Sequence, residues 1–164
     1  LLVLPHFTPT GTPHFDVSPV SAILGLSLST HRGQFIKALL EGVTYEMRLN
    51  LDILAEAGVP VGELCAIGGG AKSEAWMQIK ADIMGVPIVS LNVSEAACLG
   101  AALLAAVGSG AIASIPAATT EWVHPRRVFD PAPANAMRYS ERYSVYRRLY
   151  DTLKPIGQEL NRLT

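Results

Sequence analysis

The chain has 164 residues, 49% of them hydrophobic, and a formal net charge of −1. That length suffices for one domain with a real core and is too short for two well-developed ones. A charge this close to zero sets up no long-range field, so neither nucleic acid nor a membrane surface is implied as a partner; a small-molecule protein or a piece of an assembly remains.

Leu1 to Leu4 reads as the end of a strand. Pro5 and His6 stop this apolar run too early for a signal peptide or a membrane span. Cys65 and Cys98 sit in apolar stretches without metal-ligand spacing and are expected as buried free thiols of a reducing compartment, so the cytoplasm is the expected location. The run begins without Met or a polar lead-in, and we expect a piece cut from something longer. Pro5, Pro9, Gly11, Pro13 and Pro19 then exclude helix. His6, His14 and Asp16 lie in this loop without the spacing of a metal site, and loop hydrogen bonding is their expected role.

Ala22 to Leu28 returns as a strand, with Ser29 or Thr30 as an N-cap for the next element. From Arg32 to Ala57 the apolar residues Ile36, Leu39, Leu40, Val43, Met47 and Leu54 recur at helical spacing and are expected to face the core, with Lys37, Glu41, Thr44 and Arg48 on other faces. Gly58 suits the C′ position and Pro60 prevents resumption. Val61 to Ile67 supplies the next strand, buried over Glu63–Ile67. Three glycines come after it, and then a helix from Ser73 to about Met84, on which Trp76, Ile79 and Ile83 mark the expected core edge and Glu74, Gln78 and Asp82 another. Ile88–Leu91 is a short buried strand. Ser94 and Glu95 open a helix rich in small residues, where Gly100 is expected to serve close packing or a neighbouring ligand, since glycine in mid-helix costs about 1 kcal/mol relative to alanine. After Gly110 an irregular arm is expected, with Arg126 and Arg127 as solvated surface. Tyr139, Tyr143, Tyr146, Tyr150 and Leu153 form one helical stripe that docks against the body.

The stretch Ile67-Gly68-Gly69-Gly70-Ala71-Lys72-Ser73 is the centre of interest. Glycines strip the turn of side chains, so backbone N–H groups can approach a ligand, and the helix after it adds its positive end. A nucleotide suits such a turn; so does no ligand at all, since strand-to-helix turns are often glycine-rich. Ala71 stands where a Walker loop needs Gly, and Ser73 occupies the third glycine position of a dinucleotide fingerprint, without an acidic residue further on. Strands alternating with helices call for an α/β architecture, whose ligands collect at the C-terminal ends of strands.

Taken together, Leu4-Pro5, Thr12-Pro13 with Asp16, Gly25-Leu26, Leu40-Glu41-Gly42, Gly68 to Ser73, Trp76-Met77-Gln78, Ala81-Asp82 and Gly100-Ala101-Ala102 resemble the C-terminal domain of the FGGY family of carbohydrate kinases, in particular its xylulose kinase branch. The resemblance runs over nearly the whole chain, with residues 111–164 as a C-terminal arm and helix. It implies the actin-like, ribonuclease-H-like ATPase fold, in which two domains close on ATP and a sugar. By that resemblance Gly68, Gly69, Gly70, Ala71 and Ser73 form the adenosine-binding turn, backed by the helix of Gly100. The cofactor implied is ATP with Mg²⁺, the metal being held mainly by parts of the parent protein outside this chain. The sugar is reached through the N-terminal domain, which carries the phosphate loop and the general base. No catalytic residue is therefore assigned here, and the isolated chain is expected to be inactive. A homodimer is compatible with this picture. Lys72 is read as the cation beside the turn, with a surface role preferred. A non-catalytic actin-like or Hsp70-like nucleotide module is the competing reading, and a Rossmann-type dehydrogenase a disfavoured third.

Overall fold

The computed structural model describes residues 1–18 and 20–163; Pro19, one of the breakers of the first loop, lies outside the described residues, as does Thr164. The elements in order are β1 (Leu2–Leu4), β2 (Ala22–Leu24), α1 (Arg32–Glu56), β3 (Leu64–Ala66), a 3-10 turn (Gly69–Lys72), α2 (Glu74–Met84), β4 (Ile88–Leu91), α3 (Ala96–Gly108), α4 (Ile115–Trp122), β5 (Pro125–Phe129), α5 (Pro133–Tyr146) and α6 (Leu149–Leu163). The α/β alternation is as expected, although the strands are shorter than their apolar runs. The expected irregular arm instead holds α4 and β5, because Ser114 caps α4 through Ala117 N–H and Pro116 opens its first turn. The described residues gather into two compact units: one takes Leu1–Val61, Asp82–Gly85 and the chain from Pro131 on, the other Gly62–Ala81 and Val86–Asp130.

In the first unit β1 and β2 form an antiparallel ribbon, with Val3 opposite Ile23. Helix α1 packs on β1. It starts at His31, whose N–H donates to Gln34 Oε1 at 3.0 Å. It ends as expected at Gly58, where φ is +83° and Gly58 and Val59 donate back to Ala55 and Leu54.

The buried face of α1 is not the expected one. Ile36, Val43, Met47 and Leu54 are exposed, whereas Ala38, Glu41, Gly42, Thr44 and Tyr45 are buried. The reason lies in α5 and α6. Tyr139 donates to Glu41 Oε1 at 2.8 Å, Tyr143 to Asp52 Oδ2 at 2.6 Å, Tyr146 to Glu46 Oε1, and Tyr150 to Asp16 Oδ2 at 2.6 Å. Lys37 and Arg142 flank the same Glu41 carboxylate at 3.4 and 3.7 Å. A carboxylate with such partners can be buried, so a polar face of α1 turns inward. Gly42 serves the approach to β1: a Cβ there would stand 2.5 Å from the Val3 carbonyl oxygen. The tyrosine stripe docks as expected, but on two helices, since the chain turns at Arg147–Arg148.

The first loop is held by hydrogen bonds, as expected. His6 Nε2 lies 3.3 Å from Glu46, the His14 ring stacks on Tyr150 with centroids 3.5 Å apart, and Asp16 accepts from Ser18 N–H and pairs with Lys154. No group of three His, Cys, Asp or Glu residues suited to a metal ion occurs among the described residues.

In the second unit β3 and β4 pair in parallel, Cys65 beside Val89, and β5 adds an antiparallel edge, Val128 beside Val89. Met77, Ala81, Ile88, Val89, Leu103, Ala118 and Phe129 make its core. Of the expected core edge of α2, Ile83 is fully buried, whereas Trp76 and Ile79 are only half so; Met77 and Ala81 are fully buried beside them, and Asp82, expected on another edge, is buried as well. Both cysteines are exposed rather than buried. β3 is a thin, half-covered strand, and Cys98 lies on an outer face of α3 with Ala97, Ala101, Ala102 and Leu104. Gly100 does not serve the close packing expected of it, since a Cβ there would meet nothing within 4 Å. Close approach falls to Gly42, Gly70 and Gly157 instead.

Candidate functional site

The glycine turn sits at the C-terminal end of β3, where an α/β sheet offers its ligand sites. Its three glycines are there for three different reasons. Gly68 has φ +79° and ψ −173°, a conformation that only glycine adopts without strain. Gly70 is covered: a Cβ there would stand 3.1 Å from Trp76 Cζ3 and 3.7 Å from Lys80 Nζ. Gly69 has a negative φ and nothing within 4 Å of where its Cβ would be. Nothing in the fold itself demands glycine at 69.

The backbone donors are divided in the same way. Gly68 N–H donates to the Ser94 carbonyl at 3.1 Å, tying the turn to the segment after β4; Ala71 N–H donates to Gly68 and Ser73 N–H to Gly70. Among the described residues no hydrogen bond engages the amides of Gly69 and Gly70, the first two of the 3-10 turn. Two successive free amides are donors that an anionic or carbonyl-like oxygen or a ring nitrogen could accept. The turn between the strand and α2 is where the glycines place it, and over Gly69–Lys72 it takes 3-10 form. Ser73 caps α2, its carbonyl accepting from Met77 N–H at 2.9 Å and its hydroxyl lying 3.4 Å from Trp76 N.

Beside the turn lies a cavity of about 240 Å³, lined by Gly68, Ala71, Lys72, the Ser90–Ser94 segment and, from β5, Arg126, Arg127 and Phe129. It is smaller than the ~300–1,000 Å³ of sites that enclose a whole drug-sized ligand. Of the five expected site residues, Gly68 and Ala71 line it, whereas Gly69, Gly70 and Ser73 are not among its lining residues. Asn92 shapes its far wall by accepting from His124 N–H at 2.9 Å and donating to Trp122 O at 3.0 Å.

The site carries more charge than the sequence suggests. Lys72 pairs with Glu95 at 3.4 Å and Arg127 with Glu74 at 2.5 Å, all four side chains being well exposed, so each pair contributes at most about 1 kcal/mol. Arg127 also sits over Phe129, 4.9 Å from the ring centroid. Arg126 and Arg127 are exposed, as expected, and both also line the cavity. Lys80, one helical turn after Trp76, holds its ammonium 4.3 Å over the indole centroid, and burial lowers its pKa. Its i, i+4 spacing from Trp76 is the only signal of this contact in the sequence.

The fold matches solved carbohydrate kinases. The xylulose kinase of Rhodospirillum rubrum superposes with a TM-score of 0.77 at 32% identity, covering 96% of this chain and 31% of that one. This is the α/β, actin-like class. The family model for the C-terminal domain of the FGGY family of carbohydrate kinases matches residues 1–109, and the chain belongs to that family. Among curated relatives, a xylulose kinase of Staphylococcus epidermidis is 34% identical over the whole chain and 33% of its own length. A glycerol kinase of Koribacter versatilis is 40% identical over 109 residues, 66% of this chain and 22% of its own length. The chain thus spans about a third of the length of the xylulose kinases it matches.

Proposed function

We propose that this chain is the nucleotide-binding part of an ATP-dependent carbohydrate kinase of the cytoplasm, whose acceptor is a pentulose such as xylulose, and that the Gly68–Ser73 turn receives the adenosine end of ATP. The observation that carries this reading is Gly69: neither backbone strain nor packing explains glycine there, and its amide and that of Gly70 are free donors. A flat purine and ribose need such access.

In the reaction proposed for the whole protein, a sugar hydroxyl oxygen forms a bond to the γ-phosphorus while the bond from that phosphorus to the β,γ-bridging oxygen breaks. ADP leaves, and the hydroxyl proton passes to a base. Such transfer depends on positioning and charge neutralisation. This chain supplies positioning of the nucleoside. No cluster of metal-binding side chains occurs among its described residues, and Glu74 and Glu95 beside the turn are each engaged by a cation, so Mg²⁺ does not fit a site built from this chain alone.

Gly69→Val in the complete protein tests the reading better than a change at either neighbour, because Gly68 carries the strained φ and Gly70 meets Trp76. The expected outcome is a rise of about tenfold or more in KM for ATP, equivalent to ~1.4 kcal/mol, with the sugar KM and melting temperature unchanged. Normal ATP kinetics in a folded Gly69→Val protein would remove adenosine from this turn.

A further inference from the structure

The glycine turn has a floor that belongs to no expected site residue. Trp76 comes from the first turns of α2, and its six-membered ring lies where a Gly70 Cβ would be, 3.1 Å from that position at Cζ3 and 3.5 Å at Cε3. The Lys80 ammonium stands over the same ring and 3.7 Å from the same position. Turn, indole and ammonium therefore meet at one point. The free amides of Gly69 and Gly70 belong to that turn, and a 3-10 segment of four residues has little hydrogen bonding of its own to fix their direction.

From this contact we propose that Trp76 is a positioning residue for nucleotide binding: its ring, steadied by Lys80, holds Gly70 so that the two amides point at the nucleoside. The inference rests on the assignment of adenosine to this turn. Two observations separate it from a plain core role. Trp76 is half-buried, while the fully buried residue of this part of α2 is its neighbour Met77. Moreover, no carboxylate pairs with Lys80 among the described residues; its ammonium faces the indole instead. Burial lowers the Lys80 pKa, as expected for an ammonium whose compensation comes from a ring quadrupole.

The test uses the complete protein with ATP and xylulose varied separately, and with ADP binding measured by calorimetry. Trp76→Ala is expected to raise the ATP KM and the ADP Kd by about tenfold, the size of a lost cation–π and packing contact, with sugar KM unchanged. Trp76→Phe restores a ring against Gly70 and is expected to recover most of the nucleotide affinity. Lys80→Met keeps the aliphatic cover but not the charge, and should weaken ADP by about threefold, a part of one cation–π contact. If Trp76→Ala lowers the melting temperature but leaves ADP affinity normal in the folded fraction, Trp76 is a structural residue only and the proposal falls. Equal losses for Trp76→Ala and Trp76→Phe also overturn it, because a ring would then not be what matters. Gly69→Val separates the two claims. Loss of ATP affinity there with normal affinity in Trp76→Ala keeps adenosine at the turn and rejects Trp76 alone; normal affinity in both rejects the turn assignment, and the positioning role with it.

Discussion

Along α1, α5 and α6 the chain pairs most of the polar groups it buries, the Tyr45 hydroxyl and His6 Nδ1 being the exceptions among the described residues, while around the glycine turn it leaves exposed polar groups open. Glu41 is 3% exposed yet receives the Tyr139 hydroxyl and is flanked by Lys37 and Arg142. Gly69 and Gly70 present two amides that no neighbour uses, over an indole and an ammonium. A buried donor or acceptor left unmade costs ~1–3 kcal/mol, so the first arrangement stabilises only where the pairs are made. Exposed donors cost little to leave unpaired, and they are what a ligand can use. The difference teaches where to look for function in this chain: at the donors the fold does not consume.

The hardest break of this contrast is made at Gly42. Its Cβ would stand 2.5 Å from a backbone oxygen of β1 and 3.2 Å from Val3 Cβ, and a backbone atom cannot step aside as a flexible side chain can. Gly42→Val is expected to destabilise this part by roughly 3 kcal/mol or more, at or beyond the upper end of ordinary overpacking, and to give insoluble or partly folded protein. Chemical denaturation of the soluble fraction checks it. A variant with wild-type stability would mean that α1 and β1 are not in the contact described. By contrast, Gly69→Val at the turn should change nucleotide affinity and leave the melt untouched.

A pH series sharpens the same comparison, because almost every displaced titration lies in the seam and its loop. Burial, and the carboxylates that accept their hydroxyls, push Tyr139, Tyr143 and Tyr146 above the ordinary 10; burial does the same to Tyr45. A raised folded value favours the protonated form in the native state, so this stability is complete below pH 10 and is lost as pH rises beyond it. On the acid side, burial holds His14 below 6.5. Burial would raise Glu46, but hydrogen bonds from His6 and Tyr146 outweigh it and bring it below 4.5; the Tyr150 hydroxyl, Ser18 N–H and Lys154 keep Asp16 well under 3.8. Lowered folded values favour the deprotonated form, so these contributions are present above the ordinary values and are lost as pH falls, first from His14 and then from the two carboxylates. Stability of the seam should therefore hold a plateau between about pH 6.5 and 10, read by denaturation at each pH alongside phenolate absorbance. Tyrosines titrating freely at their ordinary pKa, in folded protein, would dissolve the seam.

These cases also show how much was legible in the sequence. The helix stop at Gly58, the strand-turn-helix around Gly68–Gly70 and the docking tyrosine stripe come from local chemistry, and local chemistry is what a single sequence displays. The inward face of α1 does not, because hydropathy ranks Ile36 and Val43 above Glu41, and only the arrival of Tyr139, 98 residues later, reverses that order. The same limit explains Arg127, whose place at the cavity depends on β5 pairing with β4, and Trp76, whose helical stripe reads as core until Gly70 is seen against it. The turn itself could be found from its glycines; its floor required the fold.

Gly100 gives the smallest expected effect and tests the open side of the comparison. It lies inside α3, its Cβ position is free within 4 Å, and its φ is not positive. With no steric obstacle, the remaining contribution is backbone entropy, which favours alanine over glycine in a helix interior by about 0.8–1.0 kcal/mol. Gly100→Ala should therefore raise the stability of the second unit by up to ~1 kcal/mol, visible as a slightly higher melting midpoint with unchanged ATP and sugar KM. The sign is what decides. Around it Ala97, Cys98, Ala101, Ala102 and Leu104 are exposed, Leu104 at 64%, an apolar surface on a helix that buries chiefly Leu103. Should Gly100→Ala instead destabilise the complete protein, glycine is needed for a contact that this chain does not itself make. The exposed face of α3 would then be part of a packed interior in the complete protein, and the contrast between a closed seam and an open second unit would hold for these residues alone.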